Sequence, residues 1–470
     1  MFLPKIVNKD NVYHILILGL VLTQLLGLII PIDLTLLEAV FAIGVSIFGI
    51  QKLSKSFQIA TIIFFVMGIA LLGTAGLSVI KFASAVISMI DIIVLLIVMR
   101  LFLVPVSVGN YQSSVEEFMK QHVNGPKQTY SFVMLVTNLL SSILSMGTIA
   151  IVLSILGDSI KRQVKDSDRL SSTAVTRAYT MGTLWAPGAA TIFLISSVTK
   201  VGWTRLFVPC FILGTTGLFL SYLMEHNQAY MKVKPVKNDE IVQLNNQKNP
   251  SLLGLVFAVV ALLVLSFIFM HNKIASSMDS VTIAGLLIVL FWTLLLGLRK
   301  IKQQQTFTAD LKKSIVSYWQ KGMVGGASLA PFFVGIGTFT YGFEHSTISV
   351  SLTKNLSPIF ASLGWWLILL IPIIVVFVSL IGIHPLASVA LIGKVIMSMN
   401  ITLSPVLVAL GLNIGSVASY MLSPFAVIIM IVATILNVKP TTVSLRWNWK
   451  FCISFVIVSL ALATLLSLIF

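Results

Sequence analysis

Four short interruptions in otherwise apolar sequence gather the groups able to handle a ligand. They are Ser145-Met146-Gly147-Thr148, Gly182-Thr183-Leu184-Trp185-Ala186-Pro187-Gly188, Gly382-Ile383-His384-Pro385 and the stretch from Gly415 to Pro424. Each is expected to start a half-helix at mid-membrane. The first turn of a helix leaves N–H groups unpaired and carries the positive end of the dipole, so four converging half-helices would favour an anion. Pro187, Pro385 and Pro424 stand where second half-helices should begin, because proline at that position loses no needed hydrogen bond and presets φ. A plain membrane kink is the alternative. Ser423 is the expected N-cap of the last half-helix.

Thr148 and His384 fall at equivalent tip positions, and both can donate to a carboxylate or a similar oxyanion. With Gly147 and Pro385 beside them, they are the first substrate contacts expected. His384 would also suit a coupled proton, since an imidazole titrates near neutrality, while simple capping of the tip is the plainer reading. Thr183 and Ser416, aligned across the two broken helices, would touch substrate or give oxygens to a cation. Arg177, about two turns into the first broken helix, either balances an anionic substrate or snorkels to the interface. For a coupling Na+, the expected donors are Ser145, Asn413 and Ser419, with carbonyls freed near Gly182, Gly188 and Gly415. Isolated Ser and Thr in membrane helices otherwise bond to their own backbone or join helices. Asp158, Lys394 and Asp91 read as structural, Trp185 as gate or packing, and Cys210 and Cys452 as packing residues.

The elements that must hold these groups follow from composition. The chain has 470 residues, 57% of them hydrophobic and 10% charged, with a mean hydropathy of +1.02. Such a surface needs lipid for solvent. Apolar stretches of roughly 17–25 residues recur along it, the length a helix needs to cross a bilayer. The fold class is therefore all-α and polytopic, with about 11 transmembrane helices, two re-entrant hairpins and two inverted repeats. An extra N-terminal helix (1–31), retained as no signal peptide, leads into a first repeat (32–225). That repeat holds the hairpin 130–160, the broken helix 170–200 and the span 205–224. A cytoplasmic linker (226–250) precedes the second repeat (251–470), with the hairpin 363–398, the broken helix 403–437 and the span 449–470.

Two landmarks support the repeat. Gly157 aligns with Gly393 at an offset of 236, and Gly182 with Gly415 at an offset of 233. Loop charge supplies an independent test, because short basic loops stay cytoplasmic. With the N-terminus inside and both hairpins re-entrant, 23 Lys and Arg residues fall in inside loops and 5 outside. The net charge of +16 is thus spread through short loops and does not form a nucleic-acid face.

One extra helix followed by two inverted units, each with a hairpin and a broken helix, resembles the ion transporter superfamily. The closest architecture is its divalent anion/sodium symporter (dicarboxylate) branch. That branch carries Ser-Asn-Thr at its hairpin tips, where this chain has Ser145-Met146-Gly147-Thr148 and Gly382-Ile383-His384-Pro385. The resemblance implies an ion-coupled secondary transporter of a small anion, an organic carboxylate, in the plasma (inner) membrane. An elevator motion of the hairpins and broken helices against the earlier spans is expected, and the resemblance implies a homodimer.

No phosphate loop, paired carboxylates or Cys/His cluster occurs in the sequence, so no enzymatic step and no cofactor beyond a coupling Na+ or H+ is expected. The alternative function is a lipid-precursor flippase or an anion channel using the same broken helices. The expected partners are a small anionic substrate, the bilayer and a second copy, with no nucleic acid.

Overall fold

In lipid only a helix closes its own backbone hydrogen bonds without a partner strand. The computed structural model describes residues 9–30, 32–74, 76, 78–144, 147–164, 166–232, 251–302, 306–399 and 401–466, and every regular element among them is helical. The first half runs α1 (Lys9–Gly27), α2 (Thr35–Gly49), α3 (Lys55–Thr74), α4 (Val79–Val108), α5 (Tyr111–His122), α6 (Pro126–Leu144), α7 (Gly147–Gln163), α8 (Ser167–Thr183), α9 (Ala190–Thr199) and α10 (Trp203–His226). The second runs α11 (Leu253–His271), α12 (Ser277–Lys302), α13 (Phe307–His345), α14 (Thr347–Leu363), α15 (Leu367–Leu380), α16 (Pro385–Ser398), α17 (Pro405–Leu422), α18 (Val427–Leu436) and α19 (Thr442–Leu466). Among the described residues, nine helices are long and apolar enough to cross a membrane, which makes the chain a polytopic membrane protein.

Two groups of helices frame the site. In the first, α3 and α13 run parallel and pack at backbone distance. A Cβ on Gly68 would lie 2.6 Å from the backbone N of Phe339, one on Gly335 2.7 Å from the carbonyl of Thr61, and one on Gly342 2.6 Å from the carbonyl of Gly68. Small residues give membrane helices this approach where apolar burial gives little. The second group holds α6 to α9 and α15 to α18. The order hairpin, interrupted helix, long helix occurs in it twice, as α6-α7, α8-α9, α10 and as α15-α16, α17-α18, α19. The half-helix after each interruption packs on the opposite hairpin's return arm, α9 on α16 and α18 on α7.

Local chemistry explains the tips. Gly382 has φ +104, a conformation closed to side chains, and turns the chain between α15 and α16. His384 then caps α16 by accepting the Leu386 N–H at Nδ1 (3.2 Å), and Pro385 takes the first helical position, as expected from the sequence.

Other expectations are corrected. The second interruption is not at Gly415: α17 continues through Gly415 and Ser416 to Leu422, and the chain leaves the helix over 423–426. Gly415 is needed for crossing, since a Cβ there would lie 2.7 Å from the Cα of Pro372 on α15. Pro187 and Pro424 fall within the interruptions, three residues before their half-helices begin at Ala190 and Val427. Ser423 is not the N-cap of α18, a position held by Ala426. Its hydroxyl instead accepts the Phe425 N–H and donates to the Ser379 carbonyl. The equivalent tips Gly147 and Pro385 are offset by 385 − 147 = 238, and the helix ends Thr183 and Leu422 by 422 − 183 = 239. Gly182 therefore does not correspond to Gly415.

Candidate functional site

Between the two groups lies a cavity of about 240 Å³. One wall comes from the α2–α3 connection, α3, α4 and α13, through Lys52, Ser54, Phe57, Met99, Arg100 and Ser328. The other comes from α8, α9, α16 and α17, through Tyr179, Thr183, Thr191, Leu386 and Tyr420. No carboxylate lines it among the described residues.

Arg100 dominates the electrostatics. It stands in a tight turn, Arg100–Phe102, that interrupts the apolar run of α4, and among the described residues its guanidinium makes no hydrogen bond or ion pair. Gly147 leaves it room, and Gly325 stands at ordinary contact distance. A Cβ on Gly147 would lie 3.0 Å from Nη1 and one on Gly325 3.8 Å from Cζ. Holding an unpaired cation at this depth is costly, and an Arg offers a planar fork that fits a carboxylate bidentately. Lys52 adds a second positive charge at the rim, its ammonium 4.5 Å from the centroid of the Tyr13 ring. Thr191 and Tyr420, 3.4 Å apart through their hydroxyls, add donors on the far wall.

The first hairpin reaches this cavity through Ile143 on α6, and Gly147 at its tip stands beside the Arg100 guanidinium. Thr148, one residue on, is fully buried with no partner for its hydroxyl and does not line the cavity. His384 stands one layer back at the other tip. Its ring lies 4.0 Å from that of Phe57 and 5.7 Å from that of Tyr420, both lining residues, and its Nε2 is buried without a partner. Thr183 lines the cavity while its hydroxyl donates to the Thr180 carbonyl (2.7 Å), and Gly188 lines it with its N–H on the Ser142 carbonyl (3.2 Å).

The chain is similar in fold to a solved transporter. That structure, the YdaH transporter of Alcanivorax borkumensis, described as having an unusual topology, aligns over 87% of this chain and 98% of its own with a TM-score of 0.58. The sequences are 12% identical, so the likeness is one of fold. No family model and no curated protein matches the sequence.

The remaining candidates separate from the cavity. Arg177 neither faces an anion path nor snorkels. It is 1% exposed and bonds Glu225 (3.0 Å), the Trp447 carbonyl (2.8 Å) and Asn448 (2.9 Å), with Phe451 4.6 Å away under its guanidinium. Gly182 packs against Ser141, a contact that leaves no room for a side chain. Ser419 donates to the Gly415 carbonyl (2.7 Å), the ordinary fate of a serine in a membrane helix. Gly415 frees no carbonyl for a cation, because its helix is unbroken. Asn413 donates to the Leu184 carbonyl (2.9 Å) in the first interruption, leaving its Oδ1 without a partner, and one turn on the Ser416 hydroxyl is likewise unpartnered. Ser145 and the side chain of Asp158 lie outside the described residues. Asp91 accepts from Gln24 (2.9 Å) and ties α4 to α1, and Lys394 pairs with Glu344.

Sequence reasoning missed Arg100, Tyr179, Thr191 and Tyr420. Arg100 was findable, because it and Asp91 are the only charged residues between Phe82 and Val115, and charge inside an apolar span marks function by default.

Proposed function

We propose that this chain is an ion-coupled secondary transporter of a small organic anion, carried in the Arg100 cavity by an elevator motion of the hairpins and interrupted helices against the α3–α13 scaffold. One observation carries the reading: a guanidinium with no hydrogen bond or ion pair among the described residues lines a cavity whose walls belong to the two groups that would move past each other. The anion's head would take the guanidinium bidentately, its remaining oxygens would accept from the hydroxyls, and Phe57, Met99 and Leu386 would cover its apolar part. The coupling ion is Na+ or H+. The unpartnered oxygens of Asn413 and Ser416 suit a sodium ion, and Nε2 of His384 suits a proton. On this reading the two sets of hairpin and interrupted helix are inverted repeats, the protein works as a homodimer in the plasma membrane with its N-terminus inside, and it performs no chemistry on its cargo.

Uptake of labelled mono-, di- and tricarboxylates into proteoliposomes, under an inward sodium gradient and separately under an inward proton gradient, tests it. Gradient-driven accumulation that Arg100→Gln abolishes is the expected result. Downhill flux under both gradients would mean a channel, and no uptake of any anion would move the assignment to a lipid-precursor flippase.

A further inference from the structure

A second basic site lies at the opposite end of the scaffold. The cavity is lined midway along α13, at Ser328 and Leu329, with Phe57 of α3 beside them. From there α13 runs to Glu344, fifteen residues on and about 22 Å away at 1.5 Å per residue. The Glu344 carboxylate binds two ammonium groups from the other group of helices: Lys394 on the hairpin arm α16, and Lys200 (3.5 Å) in the connection that follows α9. Lys394 is nearly buried, its side chain 8% exposed, while that of Glu344 is 37% exposed, so the pair is half-buried. A pocket of about 570 Å³ opens around the three groups, and Lys354 adds a third ammonium. The pocket therefore holds three lysines against one carboxylate.

We propose that this pocket is a second anion site that works as a latch, in which an incoming carboxylate or oxyanion takes Lys394 and Lys200 from Glu344 and so frees the hairpin arm from the scaffold. The charge balance supports it. One carboxylate cannot neutralise three ammonium groups, and a concave surface of one sign concentrates counter-ions. So does the position. The latch ties both halves of the moving group to the scaffold at the end away from the Arg100 cavity, where a barrier is needed while that cavity is reached from the Lys52 side. The inference rests on the transport reading for its purpose, and its test is separate from it.

The test is thiol accessibility of the full chain in oriented vesicles, with Ser328→Cys as reporter in the cavity and a membrane-impermeant maleimide applied to either face. With Glu344 present, labelling is expected from the Lys52 face only. Glu344→Gln is expected to raise labelling from the opposite face roughly tenfold, since this half-buried pair ranks between exposed and fully buried ones. Acetate on that face, set against an equal concentration of a bulky sulfonate, is expected to do the same in the unaltered latch. Exchanging the pair, Glu344→Lys with Lys394→Glu, is expected to restore one-sided labelling and serves if Glu344→Gln does not fold. Labelling that stays one-sided in Glu344→Gln would overturn the latch, and labelling that ignores acetate would overturn the anion site. Arg100→Gln is expected to leave the sidedness intact while removing anion uptake, so the two readings fail separately.

Discussion

Two arginines in the membrane part of this chain, Arg177 buried and Arg100 half-buried, meet opposite fates. Arg177 spends its donors on Glu225, Asn448 and the Trp447 carbonyl, and joins α8 to α10 and α19. Arg100 spends none on the described residues, and lines a cavity with Gly147 close beside its guanidinium. Position within a membrane helix alone does not separate a structural cation from a binding one. What separates them is whether the protein itself supplies the counter-charge.

The largest effect is expected where the counter-charge is built in. Glu225→Ala would leave Arg177 buried and unpaired, and should cost about 3–5 kcal/mol of stability, read as loss of the folded fraction in denaturant unfolding of the purified chain. Arg177→Met with Glu225→Leu should recover most of that, because a buried pair replaced by apolar groups of similar volume is nearly neutral. If the double variant is as unstable as the single one, the network does more than balance charge.

Arg100 should behave in the reverse way. Arg100→Gln strands no partner, so thermal stability should hold or rise, while anion binding should fall about 100-fold, the worth of two charge-assisted hydrogen bonds at roughly 1.5 kcal/mol each. Arg100→Lys should recover about a tenfold share, keeping the charge and losing the planar fork. Binding is read by isothermal titration with the best anion of the uptake panel. Equal loss of stability in Arg100→Gln and Glu225→Ala would erase the distinction between the two arginines.

The sequence made one half of this contrast visible. Arg177 stands among Ser and Thr and drew attention, whereas Arg100 is hidden inside strongly apolar neighbours whose length already announced a helix. The hairpin tips were legible because glycine and proline break an apolar run for simple steric reasons, and Gly147 and Pro385 do begin helices. The second interruption was not, because Gly415 looks like a breaker and serves as a contact surface for Pro372. The pairing of Glu344 with Lys394, fifty residues apart, depends on tertiary packing that no local pattern encodes.

Gly147→Ala should have a smaller effect. The added methyl would stand 3.0 Å from the guanidinium, close enough to push Arg100 off its position without emptying the cavity. A cost of about 1 kcal/mol is expected, appearing as roughly fivefold weaker anion binding. Unchanged binding in this variant would mean that the guanidinium moves freely, and that the glycine is there for the tip's backbone.

The smallest effects should come from two serines one turn apart on α17. Ser419 is satisfied by its own helix, and Ser419→Ala should change neither stability nor transport by more than about 0.5 kcal/mol. Ser416 is fully buried with no partner for its hydroxyl. If nothing binds there, Ser416→Ala removes an unsatisfied polar group and should stabilise the chain slightly. If Na+ uses that oxygen together with Oδ1 of Asn413, the same change should leave stability alone and shift the sodium dependence of uptake to higher concentration. Measuring sodium activation in both variants therefore decides whether counter-charge logic extends from the anion to its coupling ion: a shift in Ser416→Ala alone supports a sodium site on α17, and identical curves assign the coupling elsewhere.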